Sequence, residues 1–360
     1  MVRPADAPVL AAAAGADAPR APAPAEDDPP GPDGPARAGW TPSHRWSLGG
    51  LVAFVVLAPL VVGGTAWFDS LRLSGIFGIA VVGLSMLSGH AGQISLGQAA
   101  LVGTGAYGAG IATTRWDLAP PVGAAAAVAL AVGVGLLASP VLRLKGNYLA
   151  LATMATGLLI DKLMVNLASW TGGNNGLSGI PRLSVAGFEI DTPTRSFTLS
   201  WTVLVLALVL HVNLGRSRVG RALRAIHHDE DVARAAGIPA ARYKIAVWLV
   251  AAGLSGLAGA LYAYEIRFIS PQQFTFGQSV VLLAAVVVGG TGSLFGPVVA
   301  LVALRTVPVL SPDSEWLTPT MVSGTLMVLV MVFFPGGLAQ AWDRTVGAAL
   351  RRRQGPVVAP

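Results

Sequence analysis

Long apolar runs separated by short polar turns constrain this chain more than any other feature of its sequence. Hydrophobic residues make up 53% of the 360 positions and charged residues only 12%, with a mean hydropathy of +0.64. This composition excludes an ordinary soluble domain and predicts a polytopic membrane protein. The candidate membrane crossings are ten in number: Gly49 to Trp67, Ile76 to Leu87, Gln98 to Thr113, Pro121 to Leu142, Asn147 to Leu167, Phe197 to Leu214, Lys244 to Tyr264, Gln278 to Gly290, Leu294 to Leu310 and Thr320 to Phe334.

The predicted fold is therefore an all-α polytopic membrane protein of about ten transmembrane helices. Several runs are shorter than the roughly 20 residues that an upright helix needs, so we expect broken or partly buried helices. Residues 1–45 are rich in Ala, Pro, Gly and Asp without apolar periodicity, which predicts a disordered N-terminal tail. Residues 46–340 would form the transmembrane domain and 341–360 a basic tail.

Basic residues predict the orientation in the membrane, because they collect in cytoplasmic loops. The loops at 169–196 and 265–277 contain few of them and are predicted to lie outside. Both termini would then be cytoplasmic, in a multi-pass protein of the cell membrane. The net charge of +6 is spread over short loops, which argues against nucleic acid as a partner. The basic turns assigned to the cytoplasm are Arg143 with Lys145, the loop 215–244, and the tail with Arg344 and Arg351 to Arg353.

A polar hexad occurs twice, each time at the start of an apolar run. Residues 93–98 (QISLGQ) and 273–278 (QFTFGQ) share the pattern Gln, apolar, hydroxyl, apolar, Gly, Gln. The predicted topology makes the two following helices point in opposite directions, which indicates an inverted five-plus-five repeat over about 49–167 and 197–334. The alternative is that two short helix starts look alike by chance.

Polar side chains at these positions are candidates for a substrate path. In lipid, amides and hydroxyls need partners or a water-lined cavity. The alternatives are structural helix caps for the glutamines and an interfacial carboxylate near the outer surface for the acid. The candidate path residues are Gln93, Ser95, Gln98, Gln273, Thr275, Gln278 and Asp161.

The cytoplasmic loop from Ser217 to Lys244 has the pattern of two short helices. Val219, Leu223 and Ile226 lie at helical spacing, and acids then begin a second piece, Val232 to Ala236, that ends at a glycine. Two short helices joined by a turn would project as a knob able to fit a groove of a cytoplasmic partner. The alternative is a solvated loop whose charges only set the topology.

The sequence lacks the residues for several kinds of chemistry. It contains no cysteine, so it has no disulfide or thiolate metal site. It also has no glycine-rich turn ending in Lys-Ser or Lys-Thr that would cradle phosphates. We therefore predict a transport subunit and not an enzyme, with no catalytic residues, metal or cofactor of its own. Its five histidines lie at span ends or in flanking segments and do not form the relay that a proton-coupled carrier would need.

Six separated motifs lie between about residue 75 and 335: SGHAGQISLGQAALVGTGAYGAG from Ser88, GNYLALATMA from Gly146, TGGNNGLSGIP from Thr171, SRVGRALRAIHHDEDVARAAGIPAARYK from Ser217, GLAGALYA from Gly256 and VVVGGTGSLFGPVVA from Val286. Through these motifs the sequence resembles the membrane permease subunits of branched-chain amino acid importers of the ATP-binding-cassette type, in the LivM-like branch. The 45-residue extension before the first run departs from the usual compact start of that family.

The resemblance implies a subunit that pairs with a second, homologous permease. Two cytoplasmic ATPases would use ATP to drive it, and an extracytoplasmic binding protein would deliver an apolar amino acid. The Gly- and Asn-rich outer loop from Thr171 to Pro181 is a candidate contact for that binding protein, through Asn174 and Asn175, and the alternative is a tight, well-packed connection. Urea or a short amide is the alternative cargo, and a stand-alone ion-coupled carrier the alternative class. The residues implied to couple to the ATPases are Arg221, Asp229, Glu230, Asp231, Ala235, Ala236 and Gly237.

Overall fold

The computed structural model describes residues 66–185 and 188–307, with the isolated positions 50, 55, 324 and 325. Apart from those positions and from Ala66 and Trp67, the first and tenth apolar runs and the end of the ninth lie outside the described residues. Both predicted tails, 1–45 and 341–360, also lie outside them.

Helices make up most of the described chain. The α-helices are α1 (Ala66–Ala91), α2 (Gln98–Arg115), α3 (Pro120–Ala138), α4 (Asn147–Asn166), α5 (Ala168–Thr171), α6 (Pro193–Arg216), α7 (Arg218–His228), α8 (Glu230–Ala235), α9 (Ala240–Ile266), α10 (Phe276–Gly289) and α11 (Gly296–Thr306). Short 3-10 helices cover Ser139–Arg143, Gly173–Asn175 and Pro271–Phe274. The strands are β1 (Leu177–Ser178), β2 (Ser184–Val185), β3 (Phe188–Glu189) and β4 (Phe268–Ile269), and they pair antiparallel as β1 with β4 and β2 with β3.

Six helical segments of the described chain are long and apolar enough to cross a membrane: Trp67–Ala91, Pro120–Arg143, Asn147–Asn166, Pro193–Arg216, Ala240–Ile266 and Pro271–Gly289. This confirms a multi-pass, helical membrane protein, while the count of ten stays a prediction. α1 begins ten residues before the predicted run from Ile76. The charges in its extra turns are paired, because Arg72 contacts Asp69 at 2.7 Å and Glu265 at 2.5 Å.

Small residues bring α2, α3 and α9 into close contact at the centre of the fold. Fifteen of the 18 residues of α2 are buried. A Cβ atom on Gly259 of α9 would lie 2.0 Å from the carbonyl oxygen of Val102, and one on Gly105 would lie 2.3 Å from that of Gly256. Only glycine allows these backbones to approach so closely. α2 is thus a helix enclosed by protein, as the prediction of partly buried helices requires.

Loops that were assigned to the same side of the membrane meet in the structure. Lys145, between α3 and α4, contacts Asp231 of the 215–244 loop at 3.3 Å. At the other end, the antiparallel pairing of β1 with β4 joins the two loops predicted to lie outside. The grouping of the loops into two sides therefore agrees with the charge pattern, and which side faces the cytoplasm stays a prediction.

Candidate functional site

The first hexad is an extended segment between two helices. α1 ends with Gly92 in the left-handed region, at φ +63°. The amide of Gly92 donates to the carbonyl of Ser88 at 3.1 Å, and that of Gln93 donates to Leu87 at 3.2 Å. This is the usual way in which a glycine stops a helix. Residues 93–97 are then non-helical, and α2 begins at Gln98.

α2 begins at mid-depth in the bundle and not at its edge. The Gln98 amide nitrogen donates to the Ser255 hydroxyl at 2.6 Å. Ser255 lies fifteen residues into the 27-residue helix α9, which corresponds to a rise of about 22 Å out of about 40 Å. The hexad therefore climbs from the end of α1 to the middle of the bundle. This depth was not part of the prediction, which had α2 begin at the cytoplasmic side.

The starts of the two helices that follow the hexads meet at this depth. The amide of Ala99 donates to the hydroxyl of Ser279 in α10 at 3.0 Å. One turn further along α2, a Cβ atom on Gly103 would lie 2.8 Å from the ring of Phe274. Ser279 follows Phe274 in sequence, so the two segments run past each other in opposite directions. This contact agrees with the predicted inversion, and the repeat as a whole stays a prediction.

We call this meeting point the helix-start junction, comprising Leu96 to Ala99 and Gln278 with Ser279. The third element at the junction is α4. The amide of Leu96 donates to the Thr153 hydroxyl at 3.1 Å. A Cβ atom on Gly97 would lie 2.6 Å from the Thr153 carbonyl oxygen. In the first copy of the hexad, the glycine is thus explained by its close packing against the α4 backbone.

The two copies of the hexad differ in burial. Gln93 is 3% exposed, and Ser95 and Gln98 are fully buried, whereas Thr275 is exposed. Gln273 accepts a hydrogen bond from the Ser270 amide at 3.1 Å and forms a capping box with that serine. Gln273 thus has a cap function in the structure. The pattern Ser-x-x-Gln at 270–273 is the sequence signal for it.

Several buried amide atoms of the remaining glutamines have no hydrogen-bond partner among the described residues. They are both side-chain polar atoms of Gln93, Oε1 of Gln98 and Nε2 of Gln278. An unsatisfied buried polar group costs about 1–3 kcal/mol. The sites next to the helix-start junction are therefore places where a polar ligand or water molecules would be stabilised.

Asp161 lies on α4, two turns beyond Thr153, with a side chain that is 19% exposed. Its Oδ2 is 3.8 Å from Nζ of Lys162, a loose ion pair. Tyr107 of α2 has a buried hydroxyl with no hydrogen-bond partner among the described residues. Tyr107 did not emerge from the sequence, since an aromatic residue in an apolar run gives no sign that its hydroxyl lacks a partner.

The predicted knob consists of α7 and α8, and the two short helices are confirmed. Ser217 caps α7 by accepting the Gly220 amide at 3.3 Å. Asp229 caps α8 by accepting the amides of Asp231 and Val232 at 2.8 and 3.0 Å. These backbone hydrogen bonds from Val232 and Asp231 hold the pKa of Asp229 below its usual value. α8 begins at Glu230, two residues before the predicted start.

A small apolar cluster and one carboxylate hold the knob together. The cluster consists of Ile226, Ala233 and Ala240. The carboxylate of Glu230 accepts from Lys244 at 2.7 Å and from Arg234 at 2.6 Å. Partial burial by itself would raise the pKa of Glu230, but the hydrogen bond and charge of Lys244, with Arg234 and Lys145, lower it. Glu230 is thus an internal tie of the knob.

The other residues implied to couple to ATPases lie on the exposed surface of the knob. Gly237 follows α8 with φ +82°, and nothing lies within 4 Å of where its Cβ would be. Val232, which was not among the predicted residues, is 65% exposed beside them. The exposed members of the predicted set are Arg221, Asp229, Asp231, Ala235, Ala236 and Gly237.

Asn174 and Asn175 are exposed in the 3-10 helix Gly173–Asn175, at the opposite end of the molecule from the knob. This turn is held in place by its flanking residues, because the Thr171 hydroxyl donates to the Met164 carbonyl at 2.6 Å and Ile180 is fully buried. The two asparagines are therefore presented on an ordered surface. Within the described ranges, no group of three or more His, Cys, Asp or Glu residues is placed to hold a metal ion.

Comparison with known proteins agrees with these features. Residues 66–335 match the family described as branched-chain amino acid transport system, permease component. The chain is 33% identical to the high-affinity branched-chain amino acid transport system permease protein LivM of Escherichia coli, over 84% of this chain and 77% of that one. LivM of Salmonella typhimurium is 32% identical over the same shares.

A more distant relative is the ribose import permease protein RbsC of Escherichia coli, 29% identical over 62% of this chain and 68% of its own. No solved structure matches the chain. The family match covers the apolar helices, the helix-start junction and the knob. The chain is therefore a multi-pass membrane protein that belongs to the family of branched-chain amino acid transport system permease components.

Proposed function

We propose that the chain is the permease subunit of an ATP-binding-cassette importer that moves branched-chain amino acids across the cell membrane by alternating access. The observation that carries the proposal is the helix-start junction, where two oppositely directed helices begin at mid-depth beside buried amides without partners. Substrate sites of membrane transporters lie at such interrupted helices near the middle of the bilayer. The names of the similar LivM permeases support the cargo.

At and beside the junction, the side-chain amide atoms of Gln93, Gln98 and Gln278 that lack partners would form hydrogen bonds with the ammonium and carboxylate groups of the amino acid. The positive ends of the dipoles of α2 and α10 would favour the carboxylate. Ser95 lies in the same segment as Gln93. Thr275 and Asp161 would line the route further out, where Thr275 is exposed and Asp161 is partly exposed.

The knob would receive a cytoplasmic ATPase. Its exposed surface combines an apolar Val232 with charges of both signs, as a docking helix pair requires. Its attachment is stiff, because Glu230 ties α8 to the start of α9 through Lys244. ATP binding and hydrolysis would occur on two such partner subunits. A homologous permease would complete the membrane part, and a binding protein would approach Asn174 and Asn175.

Uptake by the complete complex in proteoliposomes tests this function. We expect ATP-dependent uptake of labelled leucine that is competed by isoleucine and valine, and not by urea or acetamide. Uptake by the permease without ATPases would instead identify a stand-alone carrier. Competition by urea or acetamide would identify the alternative cargo.

The same assay tests the helix-start junction. Gln98→Met keeps the side-chain length but removes the amide, so we expect uptake to fall by at least about tenfold, from the loss of 1.4 kcal/mol or more of polar interaction. The matched control is Gln272→Ala, which changes an exposed glutamine and should leave uptake unchanged. Normal uptake by Gln98→Met would show that the Gln98 amide does not contribute to transport and has only a structural role.

A further inference from the structure

The knob touches the segment that leads to the helix-start junction. His227 is the penultimate residue of α7 and is otherwise exposed. A Cβ atom built on Gly92 would lie 2.9 Å from Cδ2 and 3.1 Å from Nε2 of His227. The imidazole therefore rests directly on the backbone of Gly92, where there is no room for another side chain.

Gly92 is the single residue between the end of α1 and the first residue of the hexad. Its φ of +63° reverses the chain direction there. On its other side, Gln93 is tied back to α1, because the Ser88 hydroxyl donates to the Gln93 carbonyl at 3.2 Å. A displacement of Gly92 would therefore act on Gln93 and, through the non-helical residues 93–97, on Gln98 at the start of α2.

A second contact holds α7 against the same place. Arg224 lies one turn before His227, and its guanidinium donates to the Gly215 carbonyl at the end of α6 at 2.8 Å. Gly215 in turn lies against His90, since a Cβ there would be 2.7 Å from the His90 ring. The inner face of α7 therefore rests on the ends of α1 and α6, with Arg224 as the anchor and His227 at the hexad.

We propose that His227 is a positioning residue that transmits movement of the knob to the helix-start junction through its contact with Gly92. The proposal rests on the function proposed above, in which ATPases move the knob. Its neighbour His228 is also exposed and shows no contact with Gly92, which makes it the matched control. The two histidines share their chemistry and differ in what they touch.

The absence of cysteine from the sequence gives a direct readout. Ser95 is fully buried in the hexad, so Ser95→Cys places a thiol where its modification by a maleimide reports opening of that segment. In the complete complex, we expect ATP to change the rate of modification at position 95. His227→Ala should abolish this ATP-dependent change, and His228→Ala should keep it.

Transport and ATP hydrolysis give the second readout, measured without the cysteine. His227→Ala should lower the number of leucine molecules moved per ATP hydrolysed by about tenfold, a typical size for coupling between sites. Binding of the ATPases and the rate of hydrolysis should stay as in the parent complex. A lost association would instead make His227 a docking or folding residue, and it would overturn the proposal.

The proposal is also overturned if His227→Ala transports normally, or if His228→Ala has the same defect. If the parent complex shows no ATP-dependent transport at all, the proposed function fails as well. A coupled parent complex with an unaffected His227→Ala variant rejects the role of His227 alone.

Discussion

Gly259→Ala adds one methyl group where α2 and α9 are closest, and the structure sets the size of its effect. The new Cβ would lie 2.0 Å from the carbonyl oxygen of Val102 and 2.6 Å from the amide nitrogen of Ala106. Both atoms belong to the backbone of a buried helix, so no rotamer change relieves the clash. The two helices must separate by about 1 Å, and such overpacking costs about 3 kcal/mol.

Gly253→Ala on the same helix is the matched control. Its Cβ would lie 3.4 Å from the nearest atom, Cγ2 of Val132, which is an ordinary contact. In a helix interior, alanine is about 1 kcal/mol more favourable than glycine. The two substitutions make the same chemical change and share this gain, so they should differ by the overpacking cost alone, about 3 kcal/mol in the free energy of unfolding.

Unfolding of the purified protein in mixed micelles, titrated with a denaturing detergent, measures this difference. Gly259→Ala should unfold at a lower detergent fraction than the parent, and Gly253→Ala at an equal or higher one. Equal stability of the two variants would refute the reasoning, because it would mean that α2 and α9 are not packed through their glycines. Loss of stability in both would show that α9 tolerates no methyl group on either face.

Two further predictions concern the knob. Glu230→Gln removes ion pairs to Lys244 and Arg234. The pKa of Glu230 is lowered from 4.5. Its carboxylate therefore stabilises the knob above pH 4.5, and this stabilisation is lost as the pH falls through the lowered pKa. Hydrogen exchange of the α8 amides should therefore be faster in Glu230→Gln than in the parent at pH 7, with the difference shrinking only as the pH falls below 4.5. A difference independent of pH would contradict the charge assignment. Asp229→Ala removes the cap of α8 and should speed exchange of the Asp231 and Val232 amides, whereas Asp231→Ala, which leaves the cap in place, should spare the Val232 amide. Equal exchange of that amide in the two variants would show that Asp229 is not the cap.

The apolar runs predicted the class of the fold because lipid accepts few backbone arrangements besides the helix. The runs from Asn147 and Lys244 became α4 and α9 with nearly the predicted bounds. The run from Ile76 was predicted too short, because Arg72 interrupts the apolar pattern. Its charge is paired in α1 by Asp69 one turn earlier and by Glu265, nearly 200 residues later in the chain.

The candidate site was predicted in part. The hexads were visible as a repeated pattern, and the short helices of the knob followed from apolar spacing and from the acids and glycine at the ends of α8. That Gln273 serves as a cap while its counterpart Gln93 is buried without a hydrogen-bond partner among the described residues was not visible, since both occupy the first place in the pattern. The pattern predicts which residue types begin a helix. It does not predict their hydrogen-bond partners, because those lie on other helices.

The sequence by itself determined that the chain is helical and embedded in lipid, which loops share a side, and where helices are interrupted. These properties depend on local composition, charge and turn residues. Only the tertiary structure decided that the two helix starts meet at mid-depth, that Glu230 turns inward, and that His227 rests on Gly92. Each of these depends on contacts between segments far apart in the chain, and such contacts are set by how closely the glycine-lined helices approach one another.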